Sequence, residues 1–294
     1  MESGNIVEKI EAVILDWAGT TMDYGCYAPA VVFMKVFEEM GVPITIEEAR
    51  APMGAHKKVH IRKITELSSV RERWFRKHGK EPTEADVETL FTKFIPAQMA
   101  CLAEYADLIP GTLNALADFK KRGLKIGSTT GYTGEMMELL LAEAKKRGYI
   151  PDVSVCATGR FAVQNGNNLE FGQIQGLGKD WNTSRPKPHM CNLNLVLLDI
   201  AKPHLSVKVG DTLPDVKEGL DAGMWTIGIA MTGNEMGLTE EEIKKLNPND
   251  FQKKIETARN RMHEAGAHFV VNSINEVPKV LDVINQRLLQ GLRP

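Results

Sequence analysis

The 294-residue chain has no apolar run long enough to span a membrane. Its opening residues, Met1 to Asn5, carry neither the basic region nor the apolar core of a secretory leader. An excess of one charge is also lacking. Lys and Arg number 36 against 38 Asp and Glu, a net charge of -2, which gives no electrostatic case for nucleic acid or a membrane surface as partner. Cysteine is scarce: Cys26, Cys101, Cys156 and Cys191 are widely scattered and form no metal-type pair. A reduced, cytoplasmic protein is expected. No internal repeat is visible.

What is present is ordinary globular composition, 43% hydrophobic and 25% charged, long enough for one large domain or two smaller ones. The run Ile10 to Leu15 is apolar and bounded by polar residues, as in a buried strand of a parallel sheet. It ends in Asp16-Trp17-Ala18-Gly19-Thr20-Thr21. A carboxylate at the carboxyl end of such a strand lies where open α/β sheets place their sites. By itself it could equally be a cap on the next turn.

From about residue 29 to 103 the chain reads as helix after helix with no strand. Val31, Val32, Val36, Phe37 and Met40 form an apolar stripe stopped by Gly41. Capping-box patterns occur at Thr45 to Glu48, at Ser69 to Glu72 and at the start near Thr83. A long amphipathic helix is predicted over 86–105. Strands then alternate with helices: strands over 124–129, 153–156, 206–210, 225–229 and 268–271, and helices over 112–122, 134–147, 188–200, 215–222 and 276–289, with polar helical stretches over 239–246 and 251–265. This alternation implies a doubly wound parallel sheet. We therefore expect a Rossmann-like α/β core of residues 1–24 and 106–294, with a small helical cap domain over 25–105 inserted after the first strand. Residues 159–184, rich in Gly and Asn, break the rhythm and read as a long loop. Its apolar residues, among them Phe161, Leu169, Phe171, Leu177 and Trp181, are too many for a pure linker, so partial docking on the core is expected.

Four stretches fall at the carboxyl ends of predicted strands or open the next helix. They are Asp16 with its loop, Ser128 to Tyr132, Arg185, and Gly210 to Asp215. Each alone is weak. Together and in this order the set resembles the haloacid dehalogenase superfamily over nearly the whole chain. The resemblance implies an Asp16 nucleophile, Thr130 with Gly131 on the phosphoryl group, Arg185 as a second positive charge, and Mg²⁺ held by Asp16, Asp211 and the Ala18 carbonyl, with Asp215 on or behind the ion. The residue types suit this chemistry: a carboxylate can attack phosphorus, and cations must neutralise the phosphoryl oxygens.

Position 18 departs from the superfamily's phosphatases, which carry a general acid there. Losing such an acid costs about 10²–10⁴-fold. The run Pro52-Met53-Gly54-Ala55-His56-Lys57-Lys58-Val59-His60 offers an explanation. Taken alone, it is an ordinary solvated helix start. With Asp16 to Thr21, Asp23 to Cys26 and Gly127 to Thr133, it resembles the phosphonoacetaldehyde hydrolase (phosphonatase) branch. That branch uses a cap lysine to form a Schiff base with the substrate aldehyde, and the matching residue here is Lys57. The resemblance also implies Met53 and His60 beside that lysine, Tyr132 and Cys26 in the pocket, and a homodimer through the cap, with which the apolar faces over 29–40 are compatible. It further implies a shorter segment where this chain has residues 159–184. A P–C bond breaks heterolytically only if the carbon can delocalise the charge, and an iminium on the adjacent carbon does so. An acid at position 18 would hold the lysine protonated, so the missing Asp and the added Lys belong to one explanation. A phosphate-ester phosphatase or phosphomutase of the same superfamily, and a catalytically silent binding protein, are the alternatives.

Overall fold

The computed structural model describes residues 8–175 and 188–294. Strand β1 (Ala12–Leu15) is buried along its whole length. Val13 and Leu15 enter one apolar cluster and Ala12 and Ile14 another on the opposite face. An apolar run with no polar alternation is what a strand covered on both faces requires.

Five helices precede the next strand: α1 (Tyr27–Glu39), α2 (Ile46–Arg50), α3 (Lys57–Glu66), α4 (Ser68–His78) and α5 (Glu84–Cys101). The capping boxes at Thr45 and Thr83 form. The one expected at Ser69 does not: α4 starts two residues earlier behind Leu67, and the Ser69 hydroxyl donates to Glu48 instead. The apolar stripe of α1 is largely spent inside the chain. Val32, Phe33, Val36 and Phe37 are buried, Phe33 stacking on Phe94 of α5 with centroids 4.5 Å apart.

The remaining elements are α6 (Thr112–Lys121), β2 (Lys125–Thr130), α7 (Gly134–Lys146), β3 (Val153–Cys156), β4 (Arg160–Asn165), β5 (Asn168–Gln173), α8 (His189–Leu197), β6 (Ser206–Gly210), α9 (Leu213–Asp221), β7 (Trp225–Ile229), α10 (Glu240–Lys245), α11 (Pro248–Glu264), β8 (Phe269–Val271) and α12 (Val277–Leu289). The eight strands among the described residues form one sheet in the order β5-β4-β3-β2-β1-β6-β7-β8, parallel except for the β4 and β5 pairings. The strand order therefore reverses at β1. Open α/β sheets bind ligands in the crevice at such a reversal, outside the carboxyl ends of the strands.

Residues 160–173 correct the loop expected over 159–184. They form an antiparallel hairpin on β3, closed by Gly166 and Asn167, with Gly166 at φ 56. Phe161 and Leu169 pack on the core clusters, whereas Phe171 is exposed. Leu177, Trp181 and Arg185 lie outside the described residues.

The chain leaves β1 for the helices and returns through two segments bonded to each other. The Asp23 amide donates to the Asp107 carbonyl at 3.1 Å, and the Ile109 amide to the Thr21 carbonyl at 3.0 Å. Asp23 and Cys26 take positive φ without being glycine. The four cysteines are free. No helix among the described residues is long and apolar enough to cross a membrane.

Candidate active site

Asp16 follows the last residue of β1, anchored by its amide to the Val209 carbonyl of β6 at 2.9 Å. Asp211 follows β6, and Asp215 lies in the first turn of α9. All three are buried, and one carboxylate oxygen from each lies within 4.8 Å of the others. The loop after Asp16 reaches Asp211 through Thr20, whose hydroxyl donates to Oδ1 at 3.2 Å. Gly19 must be glycine: its φ is 82, and a Cβ would lie 2.2 Å from Asp211 Oδ2. The Asn234 amide donates to that same oxygen at 2.8 Å. Burial, with Asp16 and then Asp215 close by, holds the Asp211 carboxyl well above the usual carboxylate range. A hard divalent cation would relieve this repulsion, and an all-oxygen carboxylate set is what such a cation prefers.

Asp215 is placed differently. Its Oδ2 accepts from the Thr212 amide and hydroxyl, and its Oδ1 pairs with the buried Lys208 ammonium at 2.8 Å. Lys208 also donates to Thr129 Oγ1 at 2.9 Å. A carboxylate has about four lone-pair sites. A cation and two hydrogen-bond donors therefore leave Asp215 less room for a metal than Asp211 has.

The helical segment meets these strand ends at residues 53–57. Gly54 has φ 88, and a Cβ there would lie 2.5 Å from Thr212 Oγ1. A Cβ on Gly131 would lie 3.0 Å from the Ala55 carbonyl oxygen. The loop before α3 is thus pressed between the ends of β2 and β6. Lys57, the first residue of α3, is 5% exposed, with Nζ 4.8 Å from the Tyr132 ring centroid. His56 caps the helix: its Nδ1 accepts from the Lys58 amide. Burial, with Lys57, Lys58 and Arg62 nearby, lowers its imidazolium pKa to about 4, so the ring is neutral at pH 7.

One narrow cleft is lined by Asp16, Ala18, Cys26, Met53, Lys57, Thr130, Gly131 and Tyr132, together with Pro29, Gly54 and Thr212. The Tyr132 amide donates to Thr130 Oγ1 at 3.2 Å, leaving the threonine O–H to donate elsewhere. Burial pushes the Cys26 thiol well up, so it stays protonated.

His60 does not line the cleft. Its Nε2–H donates to the Ala49 carbonyl at 2.8 Å and its ring lies 3.9 Å from that of Phe33. Burial holds its pKa well below that of a free imidazole. Thr20, Thr212, Lys208 and Asn234 went unpicked by sequence reasoning. Thr212 and Lys208 flank Asp211 and could have been suspected from that spacing, whereas nothing local marks Asn234.

No family model matches the chain. It is 42% identical over 281 residues to a phosphonoacetaldehyde hydrolase of Bacillus cereus, covering 96% of this chain and 98% of that one. Among solved structures, a phosphonoacetaldehyde hydrolase-like protein from Oleispira antarctica superposes with a TM-score of 0.88 at 35% identity, covering 100% of both chains. A β-phosphoglucomutase from Clostridium difficile superposes with a TM-score of 0.62 at 16% identity, covering 95% of this chain and 99% of that one, a likeness of fold alone.

Proposed function

The chain belongs to the phosphonoacetaldehyde hydrolase family of the haloacid dehalogenase superfamily, and from that premise we propose how its residues divide the reaction. It is an enzyme that hydrolyses the P–C bond of phosphonoacetaldehyde to acetaldehyde and phosphate. The observation that carries the residue-level reading is the shared cleft: Lys57 from the helical segment and Asp16 from the sheet line it together, with Ala18 where a phosphatase needs its acid.

Lys57 forms an imine with the aldehyde and water leaves. This step needs the neutral amine; Lys57 is buried as the first residue of α3, with no acidic residue in the helix's first turn. The Asp16 carboxylate then attacks phosphorus. The P–C bond breaks, and its electron pair enters the imine system to give an enamine. Protonation at carbon and hydrolysis of the imine release acetaldehyde and restore Lys57. Water cleaves the aspartyl-phosphate and restores Asp16. Thr130 donates to a phosphoryl oxygen, Arg185 adds positive charge, and Met53, Tyr132 and Cys26 shape the pocket around the lysine. His60 acts one layer back, through packing under α3. Mg²⁺, when bound, supplies charge neutralisation on the phosphoryl oxygens. Asp16, Asp211 and the Ala18 carbonyl would hold it, with Asp215 behind it. Residues 25–105 act as a cap domain whose seating excludes water. The protein is cytoplasmic, where its free cysteines stay reduced.

The test is release of acetaldehyde and phosphate from phosphonoacetaldehyde, lost with chelator and restored by Mg²⁺, with little turnover of sugar phosphates. Efficient sugar-phosphate turnover would support the phosphatase or mutase alternative instead. A homodimer through the helical segment is part of this reading, and sedimentation at micromolar concentration showing only monomer would remove it.

A further inference from the structure

Arg50, the last residue of α2, is buried to 8% exposure, and among the described residues no carboxylate lies within ion-pair distance of it. Its Nε and Nη2 find no hydrogen-bond partner there. Asp23 and Glu242 act on it only through space, and burying a guanidinium without a directly paired anion is costly. A methionine could fill much of the same space without that cost.

The working edge is Nη1. It donates to the Gly25 carbonyl at 2.6 Å, on the segment that leads from the sheet to α1. It also donates to Asn234 Oδ1 at 3.3 Å, in the turn after β7. The guanidinium lies 4.8 Å from the Tyr27 ring centroid. The other end of that turn is pressed on the acid cluster. The Asn234 amide holds Asp211 Oδ2, and a Cβ on Gly233 would lie 2.2 Å from Asp211 Cβ. At the near end, a Cβ on Gly237 would lie 3.3 Å from Arg50 Nε. The turn has no slack between Arg50 and Asp211.

We propose that Arg50 is a positioning residue for P–C bond cleavage: by holding Asn234 it fixes the turn 233–237 against Asp211, so that seating of the helical segment and orientation of the metal-binding carboxylate are coupled. The proposal rests on Asp211 being a metal ligand, as read above. A small misplacement at a reacting centre costs up to about 10²-fold in rate, so one hydrogen bond relayed through one amide is enough to matter.

The test is a double-mutant cycle of Arg50→Met and Asn234→Ala, with Arg50→Lys as the conservative variant. Arg50→Met should lower kcat and raise the half-activating Mg²⁺ concentration, each by about tenfold, a scale below the limit for misplaced reacting groups. KM for phosphonoacetaldehyde should stay within about twofold, because Arg50 does not line the cleft. Arg50→Lys should recover part of the loss. The double variant should be no worse than Arg50→Met, since both changes cut the same link. In metal-free protein, hydrogen exchange over 232–237 should quicken in Arg50→Met while β1 and β6 are unchanged. Unchanged exchange in that turn, or losses that multiply in the double variant, would overturn the proposal. Asn234 is only partly buried, so if Arg50→Met fails to fold, quickened exchange in Asn234→Ala carries the same decision. A wild-type protein inactive on phosphonoacetaldehyde would defeat the functional reading, and the exchange measurement would still decide the coupling.

Discussion

Ala18 lines the cleft that Lys57 enters, and the two side chains have to be read together. A carboxylate at position 18 would favour the ammonium form of the lysine. Ala18→Asp should therefore lower phosphonate turnover at pH 7 by at least about tenfold and move the rising limb of the pH–rate profile upward, each unit being about 1.4 kcal/mol. An unchanged profile would separate the missing acid from the lysine chemistry. Asp23 makes a second prediction. Its carboxylate accepts from the Tyr27 and Ala28 amides at 2.9 Å each, yet burial outweighs these bonds and raises its pKa from 3.8 to about 7. Between those values the folded state holds a proton that the unfolded chain releases, so stability falls as pH rises from about 4 to about 7. His56, lowered to about 4, acts oppositely: its contribution is lost as pH falls from 6.5 toward 4. The difference between wild type and Asp23→Asn isolates the carboxyl. Denaturant titrations should find the variant gaining on wild type as pH rises through this window, and a constant difference would contradict it. The residues that stand next to each other in the chain were legible from type and spacing. Thr20 on Asp211 and Arg50 on Asn234 were not, because 191 and 184 residues separate the partners and no local pattern links them.

Strands and helices of the sheet were legible because the buried strands are apolar runs and most of the helices stop at a glycine, as at Gly123, Gly148 and Gly223. β3, β6 and β7 fall at the expected residues, and the helices differ by a few residues at their ends. The hairpin β4–β5 was hidden by composition. Its Gly166-Asn167 turn, with glycine first, between alternating Phe161, Val163, Leu169 and Phe171 is a hairpin signal, but a sheet-edge hairpin buries little, and so many glycines and asparagines around it read as loop. The Ser69 pattern misled for the opposite reason: a local capping preference lost to a tertiary hydrogen bond with Glu48. Within the run Pro52 to His60, Gly54 lets the backbone approach Thr212 closely. Gly54→Ala should cost on the order of 1–2 kcal/mol in backbone strain, plus displacement of the loop that carries Lys57. Its kcat/KM should fall at least about tenfold, while thermal unfolding shifts by only a few degrees. Wild-type kinetics in that variant would show that the close approach plays no part in the reaction.

At the scale of the whole molecule, the proposed reaction would draw on two parts of the chain that fold as different architectures. The sheet supplies Asp16, Thr130 and Asp211 at strand ends that the reversal of strand order brings together. The helical segment supplies Lys57 and Met53. That these meet in one cleft could be read from the sequence only through resemblance to a family, because nothing in residues 25–105 says which way the segment folds back. The apolar stripe of α1 illustrates the limit: compatible with a dimer contact by its sequence, it packs largely within the chain, with Val31 and Met40 only partly buried. The central claim is that Lys57 forms a covalent imine with the substrate over the Asp16 carboxylate. Borohydride reduction in the presence of phosphonoacetaldehyde, followed by peptide mass mapping, tests it most directly. The account predicts one modified peptide, carrying the adduct on Lys57. It also predicts the same adduct in Asp16→Asn, in which phosphate release has stopped, and none in Lys57→Arg, whose guanidinium stays protonated. An adduct confined to Lys58, or full turnover with no trapped lysine, would contradict the account.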